Sequence, residues 1–214
     1  YRLFYARGNT SALEWSPDGN QLVFVSSRGG HSFVGIFKDS VSPVRWIAPD
    51  FARVASPRWT KDGKKIVFAR TAARGGAVDS LTVRKPNPWS LHIADVATGT
   101  QKLLWQSPNT IRGSVPSTHG RYNIQCGANG RIVFMSYQDG WGHLYAIDSS
   151  GGTPVQLTTG KIILEHIRLG PDGKYLLASA NAGNDKEDAD RRHLVRVTID
   201  KPGLEVLTPG KGIE

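Results

Sequence analysis

One short sequence recurs four times along this chain and limits its fold more than any other feature. The copies are SPDGNQLVFVSS at 16–27, TKDGKKIVFART at 60–71, GANGRIVFMSY at 127–137 and GPDGKYLLASA at 170–180. Their glycines, Gly19, Gly63, Gly130 and Gly173, lie 44, 67 and 43 residues apart, so two intervals match and the middle one carries about 24 extra residues. A second segment follows each copy: FVGIFKDSVSPVRWI at 33–47, SLHIADVATGTQKLLW at 90–105, HLYAIDSSGGTPVQLT at 143–158 and HLVRVTIDKPGLEVLT at 193–208.

The clearest unit is 129–160. It holds three apolar runs, 132–135, 144–147 and 155–157, each closed by Asn-Gly, Gln-Asp-Gly or Ser-Ser-Gly-Gly. Short runs between tight turns predict antiparallel strands. A period in the forties yielding about four such strands is the mark of a β-propeller blade. The continuous apolar runs 22–25 and 66–69 fit strands covered on both faces. The expected architecture is all-β: a partial propeller of about four four-stranded antiparallel blades. Approximate units are 1–50, 51–106, 107–160 and 161–214, within one propeller segment.

With 39% apolar and 21% charged residues, the 214-residue chain has the composition of a globular domain. No run nears the ~20 apolar residues of a membrane-spanning helix, and the chain opens on Tyr1 without a signal-peptide pattern. Both ends break mid-pattern, which reads as a segment of a longer product and an open arc. The single cysteine, Cys126, precedes a buried strand and reads as a small apolar filler. Net charge is +9, and residues 45–85 hold ten Lys/Arg against three acids. These charges flank turns or alternate along strands, as solvated edges do, so no nucleic-acid partner is expected.

Residues 3–6 read as an outer strand ahead of the lead-in to Trp15, and Trp59 repeats the position of Trp15 before its turn. His31 and Ser32 at a hairpin tip have no acid in a triad relation to them and read as turn residues. The stretch TAARGGAVDSLTVRKPNPW (71–89) is a long Gly/Pro-rich insertion and a candidate lid or docking arm. The linker 107–125 gathers Arg112, Ser114, Ser117, Thr118 and His119. The tip 181–194 sets Asp185, Glu187, Asp188 and Asp190 beside Arg191 and Arg192, without the spacing of a calcium loop.

A serine hydrolase needs a nucleophile on a strained turn with a base and an orienting acid, and no Gly-x-Ser-x-Gly occurs here. The six histidines form no His-Glu-x-x-His, and no phosphate-binding or dinucleotide glycine motif is present. No catalytic residue, metal or cofactor is expected in this segment. His143 and His193 share one repeat position, immediately before a strand, which predicts a repeated structural role.

Asp-Gly-Trp-Gly-His-Leu-Tyr (139–145), Gly-Gly-Thr-Pro-Val-Gln-Leu-Thr-Thr-Gly (151–160) and Asp-Arg-Arg-His-Leu (190–194) together resemble the N-terminal propeller of dipeptidyl peptidase IV-like serine peptidases, of the prolyl oligopeptidase family. His-Ser-Phe-Val-Gly (31–35), Asn-Pro-Trp-Ser-Leu (87–91), Ala-Asp-Val-Ala-Thr-Gly (94–99) and Arg-Gly-Ser-Val-Pro (112–116) look like further marks of a bacterial branch. The resemblance implies a seven- or eight-bladed ring capping a downstream α/β-hydrolase domain. It implies a serine-type, dipeptidyl or aminoacyl, peptidase whose propeller gates and selects peptides. It favours a periplasmic or secreted location, with a cytoplasmic one as the alternative, and is compatible with a homo-oligomer. The family's amine-binding Glu-Glu pair has no counterpart here, and no amine-binding residue is carried over.

The residues expected to meet substrate are Arg112, Ser114, His119, Trp141, Arg191 and Arg192, all on predicted tips or linkers. The competing reading is a TolB-like propeller that binds another protein and belongs to no enzyme.

Overall fold

A computed structural model of the chain describes residues 8–73, 84–182 and 190–208. The strand expected at 3–6, most of the 71–89 insertion and the acids Asp185, Glu187 and Asp188 lie outside the described residues. The described residues form four four-stranded antiparallel sheets, and their one helix is a single 3-10 turn, Ala128–Gly130. The all-β propeller-like class expected from the repeats is the class observed. In each sheet the strands lie in chain order, so every connection is a hairpin.

Two compact units divide the chain, residues 1–111 and 112–214. The first holds a sheet of β1 (Asn9–Trp15), β2 (Leu22–Arg28), β3 (His31–Phe37) and β4 (Arg45–Ile47), and a sheet of β5 (Ala52–Trp59), β6 (Lys65–Ala72), β7 (Trp89–Asp95) and β8 (Gln101–Gln106). The second holds β9 (Gln125–Cys126), β10 (Arg131–Ser136), β11 (His143–Asp148) and β12 (Val155–Gln156), then β13 (Leu164–Leu169), β14 (Tyr175–Ala180), β15 (His193–Thr198) and β16 (Glu205–Val206).

The recurrent turn has a chemical reason. The amides of Gly19, Gly63 and Gly173 donate to the carbonyls of Ser16, Thr60 and Gly170 at 2.8–2.9 Å. The four repeat glycines have φ between 67° and 73°, which a β-carbon would oppose. Asp18 and Asp62 accept from the Ser16 and Thr60 hydroxyls and from the amide two residues on. Those bonds, the hydroxyl first, hold both carboxyls below the usual range.

A second repeat was silent in the sequence. Strands β1, β5 and β13 each bulge, between Ser11 and Glu14, Ala55 and Arg58, and Glu165 and Arg168. Ala12, Ser56 and His166 sit in these bulges with φ of 52°, 50° and 53°, each three residues before the strand's end. Asn123 (φ 46°) stands at the same distance before the end of β9. Four side chains of different chemistry in one left-handed conformation identify a backbone requirement of the blade itself.

Each unit has one core between its two sheets. In the first, Val23, Val25, Val34, Ile36 and Ile47 pack with Val54, Trp59, Ile66, Phe68 and Ala94. In the second, Val133, Met135, Leu144 and Leu157 pack with Leu164, Ile167, Leu176, Ala178, Val195 and Val197. The runs 22–25 and 66–69 are buried throughout, as expected of strands covered on both faces. On the outer side of the first sheet the cover comes from Leu22, Phe24, Phe37, Val44 and Trp46. There Phe24 lies across Gly35, where a β-carbon would come within 2.5 Å of its ring. Strand β14 instead alternates buried and half-buried residues, and Leu194 on β15 is exposed, so the last sheet buries one face.

His143 and His193 carry the repeated structural role. Both are buried. His143 Nδ1 lies 3.1 Å from Thr158 Oγ1, which also accepts the Leu144 amide at 3.1 Å. His193 Nδ1 lies 2.6 Å from the carbonyl of Thr208, whose Oγ1 accepts the Leu194 amide. Each pair bolts the third strand of its blade to the segment following the fourth. Burial pushes His143 below the usual histidine value despite nearby Asp139, so the bolt works with a neutral ring. Thr158→Val keeps the shape but strands the Leu144 amide, and a loss of about 1–3 kcal/mol is expected in urea unfolding.

Cys126 is buried on β9, as a filler should be. Arg45 donates to the Ala97 carbonyl, Arg58 pairs with Glu14 at 3.0 Å, and Arg70 is buried against Asp50 at 3.2 Å and the Ala48 carbonyl. These members of the basic stretch 45–85 are committed to contacts within their own unit.

Candidate functional site

The linker after β8 is pinned rather than loose. Tyr122 and Ile124 are buried, and the Tyr122 carbonyl accepts the Met135 amide at 2.8 Å. Two successive tight turns, Arg121 to Thr118 and Asn123 to Gly120, fold the segment back on itself. The Asn123 side-chain amide ties it down by donating to the carbonyls of His119 (2.9 Å) and Arg121 (3.2 Å).

The pinned linker delivers two of the predicted residues to defined places. Arg112 is exposed, and its guanidinium lies over the α-carbon of Gly140, in the turn joining β10 to β11. That turn is organised by Asp139. Its Oδ1 accepts the Trp141 amide at 3.1 Å, while Oδ2 accepts Gln156 Nε2 at 2.9 Å and approaches His143 Nε2 at 3.4 Å. Trp141 is 38% exposed, so the turn presents an aromatic with the linker's Arg112 cation against its Gly140.

His119 meets strand β13. Its ring centroid is 4.6 Å from that of His166 at a 39° tilt, while Thr118 Oγ1 contacts the Leu164 carbonyl at 3.5 Å. The residue between, Glu165, receives Arg192 Nε at 3.2 Å, with both side chains one-third exposed. Three consecutive residues of β13 thus receive the linker and the residue before β15. The β13 bulge shapes this meeting point: His166 is exposed in the left-handed conformation, while Leu164 and Ile167 both remain in the core. Ser114 and Arg191 are half-buried and engaged in contacts of their own.

Sequence reasoning missed Glu165 and His166. The available signal was LEHIRL, in which two apolar residues three apart can face one core only if the strand bulges.

The arrangement can hold a peptide by hydrogen bonds, ring contact and charge, but it lacks a nucleophile with its base. Among the described residues no three His, Cys, Asp or Glu side chains gather as a metal site. Ser90 Oγ does lie 2.9 Å from His92 Nε2, the spacing of a nucleophile and base. Ser90 is buried, however, and the His92 ring stacks on Phe68. Burial and the adjacent Arg70 charge push His92 down to about 4. Ser32 at the first hairpin tip is also structural: its buried hydroxyl accepts the Val54 amide and donates to the Val54 carbonyl.

The family described as the dipeptidyl peptidase IV (DPP IV) N-terminal region matches residues 55–212. An uncharacterized peptidase, YuxL, of Bacillus subtilis (strain 168) is 24% identical over 184 residues, covering 86% of this chain and 23% of YuxL. The chain therefore spans about a quarter of that relative's length. Among solved structures, TolB from Acinetobacter baumannii superposes with a TM-score of 0.57 at 19% identity, covering 98% of this chain and 46% of TolB. A puromycin-hydrolyzing peptidase of Mycobacterium tuberculosis gives 0.60 at 13% identity, covering 96% of this chain and 39% of its own. At these identities the structural likeness speaks to fold alone. No described helix is long and apolar enough to cross a membrane.

Proposed function

Because the chain belongs to the family of the dipeptidyl peptidase IV N-terminal region, we propose that it is the noncatalytic propeller of a serine peptidase, gating and selecting peptides for a hydrolase domain elsewhere in the parent chain. The observation that carries this reading is the family match over residues 55–212, joined to a peptidase relative of which the chain spans 23%. The linker and β13 supply groups suited to holding a peptide, with Arg112 against the turn that carries Trp141, His119 against His166, and Arg192 paired with Glu165. Such groups grip a peptide backbone without reacting with it.

Two measurements test the proposal. Fluorophosphonate labelling of the natural full-length product, read by mass, should give one adduct on a serine outside residues 1–214. In the same protein His119→Ala, Trp141→Ala and Arg192→Ala should each raise KM for a peptide substrate about 3- to 10-fold, the worth of one hydrogen bond or contact, with kcat nearly unchanged. Unchanged KM in all three, in folded protein, would remove this surface from substrate selection. No adduct on active, folded protein would favour the second reading, a TolB-like protein-binding propeller, which the fold-level likeness to TolB supports.

A further inference from the structure

The β2–β3 hairpin carries a cation that has no counter-charge among the described residues. Arg28, paired in register with His31, has its guanidinium carbon 4.9 Å from the Trp46 ring centroid and 5.0 Å from that of Phe33. The two rings fix the guanidinium by cation–π contact. Among the described residues it has no hydrogen-bond acceptor and no acidic partner, and its Nε is buried without one. Arg58 and Arg70, on the other sheet of the same unit, both have a carboxylate.

Beside Arg28 opens a cleft of 610 Å³, lined by Gly8, Asn9, Ser27, Arg28, Gly29 and His31, with no acid among them. That volume is in the range of small-ligand pockets. Its wall is backbone: Gly8, at φ 93°, lies so close to the Ser27 carbonyl that no side chain could replace its hydrogen. Asn9, Ser27 and His31 add neutral polar groups, and the His31 ring packs against Phe33 and Phe51.

We propose that this cleft binds a carboxylate of a peptide, with Arg28 as its ion-pairing residue. A planar guanidinium held by two rings matches a carboxylate bidentately. The aromatic surface around it suits the residue carrying that carboxylate better than a fully hydrated phosphate, for which a single arginine is sparse provision. The assignment rests on the peptide reading above. It adds that recognition in this blade is of a negative group, from either a C-terminus or an acidic side chain.

The test is calorimetric titration of the full-length protein, its reactive serine first blocked by fluorophosphonate, with four probes: Ac-Ala-Ala-Ala-OH, its C-terminal amide, Ac-Ala-Glu-Ala-NH2 and inorganic phosphate. At least one carboxylate peptide should bind about tenfold or more tighter than the amide, and Arg28→Met should abolish that preference while the melting temperature stays near wild type. Preference for Ac-Ala-Ala-Ala-OH identifies a terminal carboxylate, and preference for the Glu peptide a side-chain carboxylate. Equal binding of acids and amide, phosphate binding as tight as the peptides, or an intact preference in folded Arg28→Met would each overturn the proposal. The acid–amide comparison on wild type needs no variant to fold. A missing fluorophosphonate adduct with the acid preference intact would instead count against the peptidase reading alone.

Discussion

Trp59→Ala should cost the 214-residue chain about 3–5 kcal/mol, whereas Trp15→Ala, at the same position of the preceding repeat, should change stability by no more than about 0.5 kcal/mol. The two residues look alike in sequence, each immediately before a Ser/Thr-x-Asp-Gly turn. Trp59 is 4% exposed and packs among Val23, Val25, Ile36, Ile66 and Phe68, while Trp15 is 56% exposed. Trp59 also ties the two sheets of its unit together. Its Nε1 donates to the Glu14 carbonyl at 3.2 Å, and its amide donates to Glu14 Oε1 at 3.2 Å. Glu14 in turn receives Arg58, yet burial outweighs that cation and raises its carboxyl above the usual value. Trp59→Phe keeps most of the packing but loses the Nε1 bond, so it should fall between, at about 1–2 kcal/mol. Urea midpoints at unchanged slope would measure all three. Equal losses for Trp15→Ala and Trp59→Ala would show that repeat position, not burial, sets the value of the tryptophan.

That contrast marks what the sequence could convey. The turns were legible because their chemistry is local: an Asp two residues from a hydroxyl, and a Gly that must have positive φ, print themselves as Ser-Pro-Asp-Gly or Thr-Lys-Asp-Gly. The strand runs were legible because 22–25, 66–69 and 132–135 are buried on both faces and need no alternation. The His143 and His193 bolts could be read from their shared place in the repeat. The bulges could not, because Ala12, Ser56, Asn123 and His166 share a conformation and no chemistry. The site followed the same divide. His119 and Arg192 stood out as polar tip residues, but their partners His166 and Glu165 lie in a strand, where exposure depends on the bulge. Arg28 was passed over because its meaning lies in what is missing around it, which only the packing of Phe33 and Trp46 reveals.

Acid should unfold this chain partly through His92. Its ring stacks on Phe68 at 5.6 Å and 15°, its Nε2 bonds Ser90, and its buried Nδ1 has no partner among the described residues. Burial first, then the neighbouring Arg70, lower it from 6.5 to about 4, with Asp50 opposing weakly. A histidine depressed in the folded state is protonated first in the unfolded one. Between pH 6.5 and 4 the unfolded chain therefore binds the extra proton, and stability rises with pH across that window. The contribution is complete above about pH 6.5 and lost as pH falls through about 4; the full shift corresponds to about 3 kcal/mol, which solvent screening of the half-buried ring reduces to roughly 2 kcal/mol. His143, also lowered by burial, adds a drop of the same sign, while Glu14, raised by burial, acts the other way from about 4.5 upward. His92→Phe keeps a ring against Phe68 and removes the proton site, so the fall in urea midpoint from pH 7 to 4.5 should shrink in that variant. An equally steep fall would mean that His92 is solvated enough to charge in place, and the acid sensitivity would then belong to the His143 bolt, where Thr158→Val would expose it.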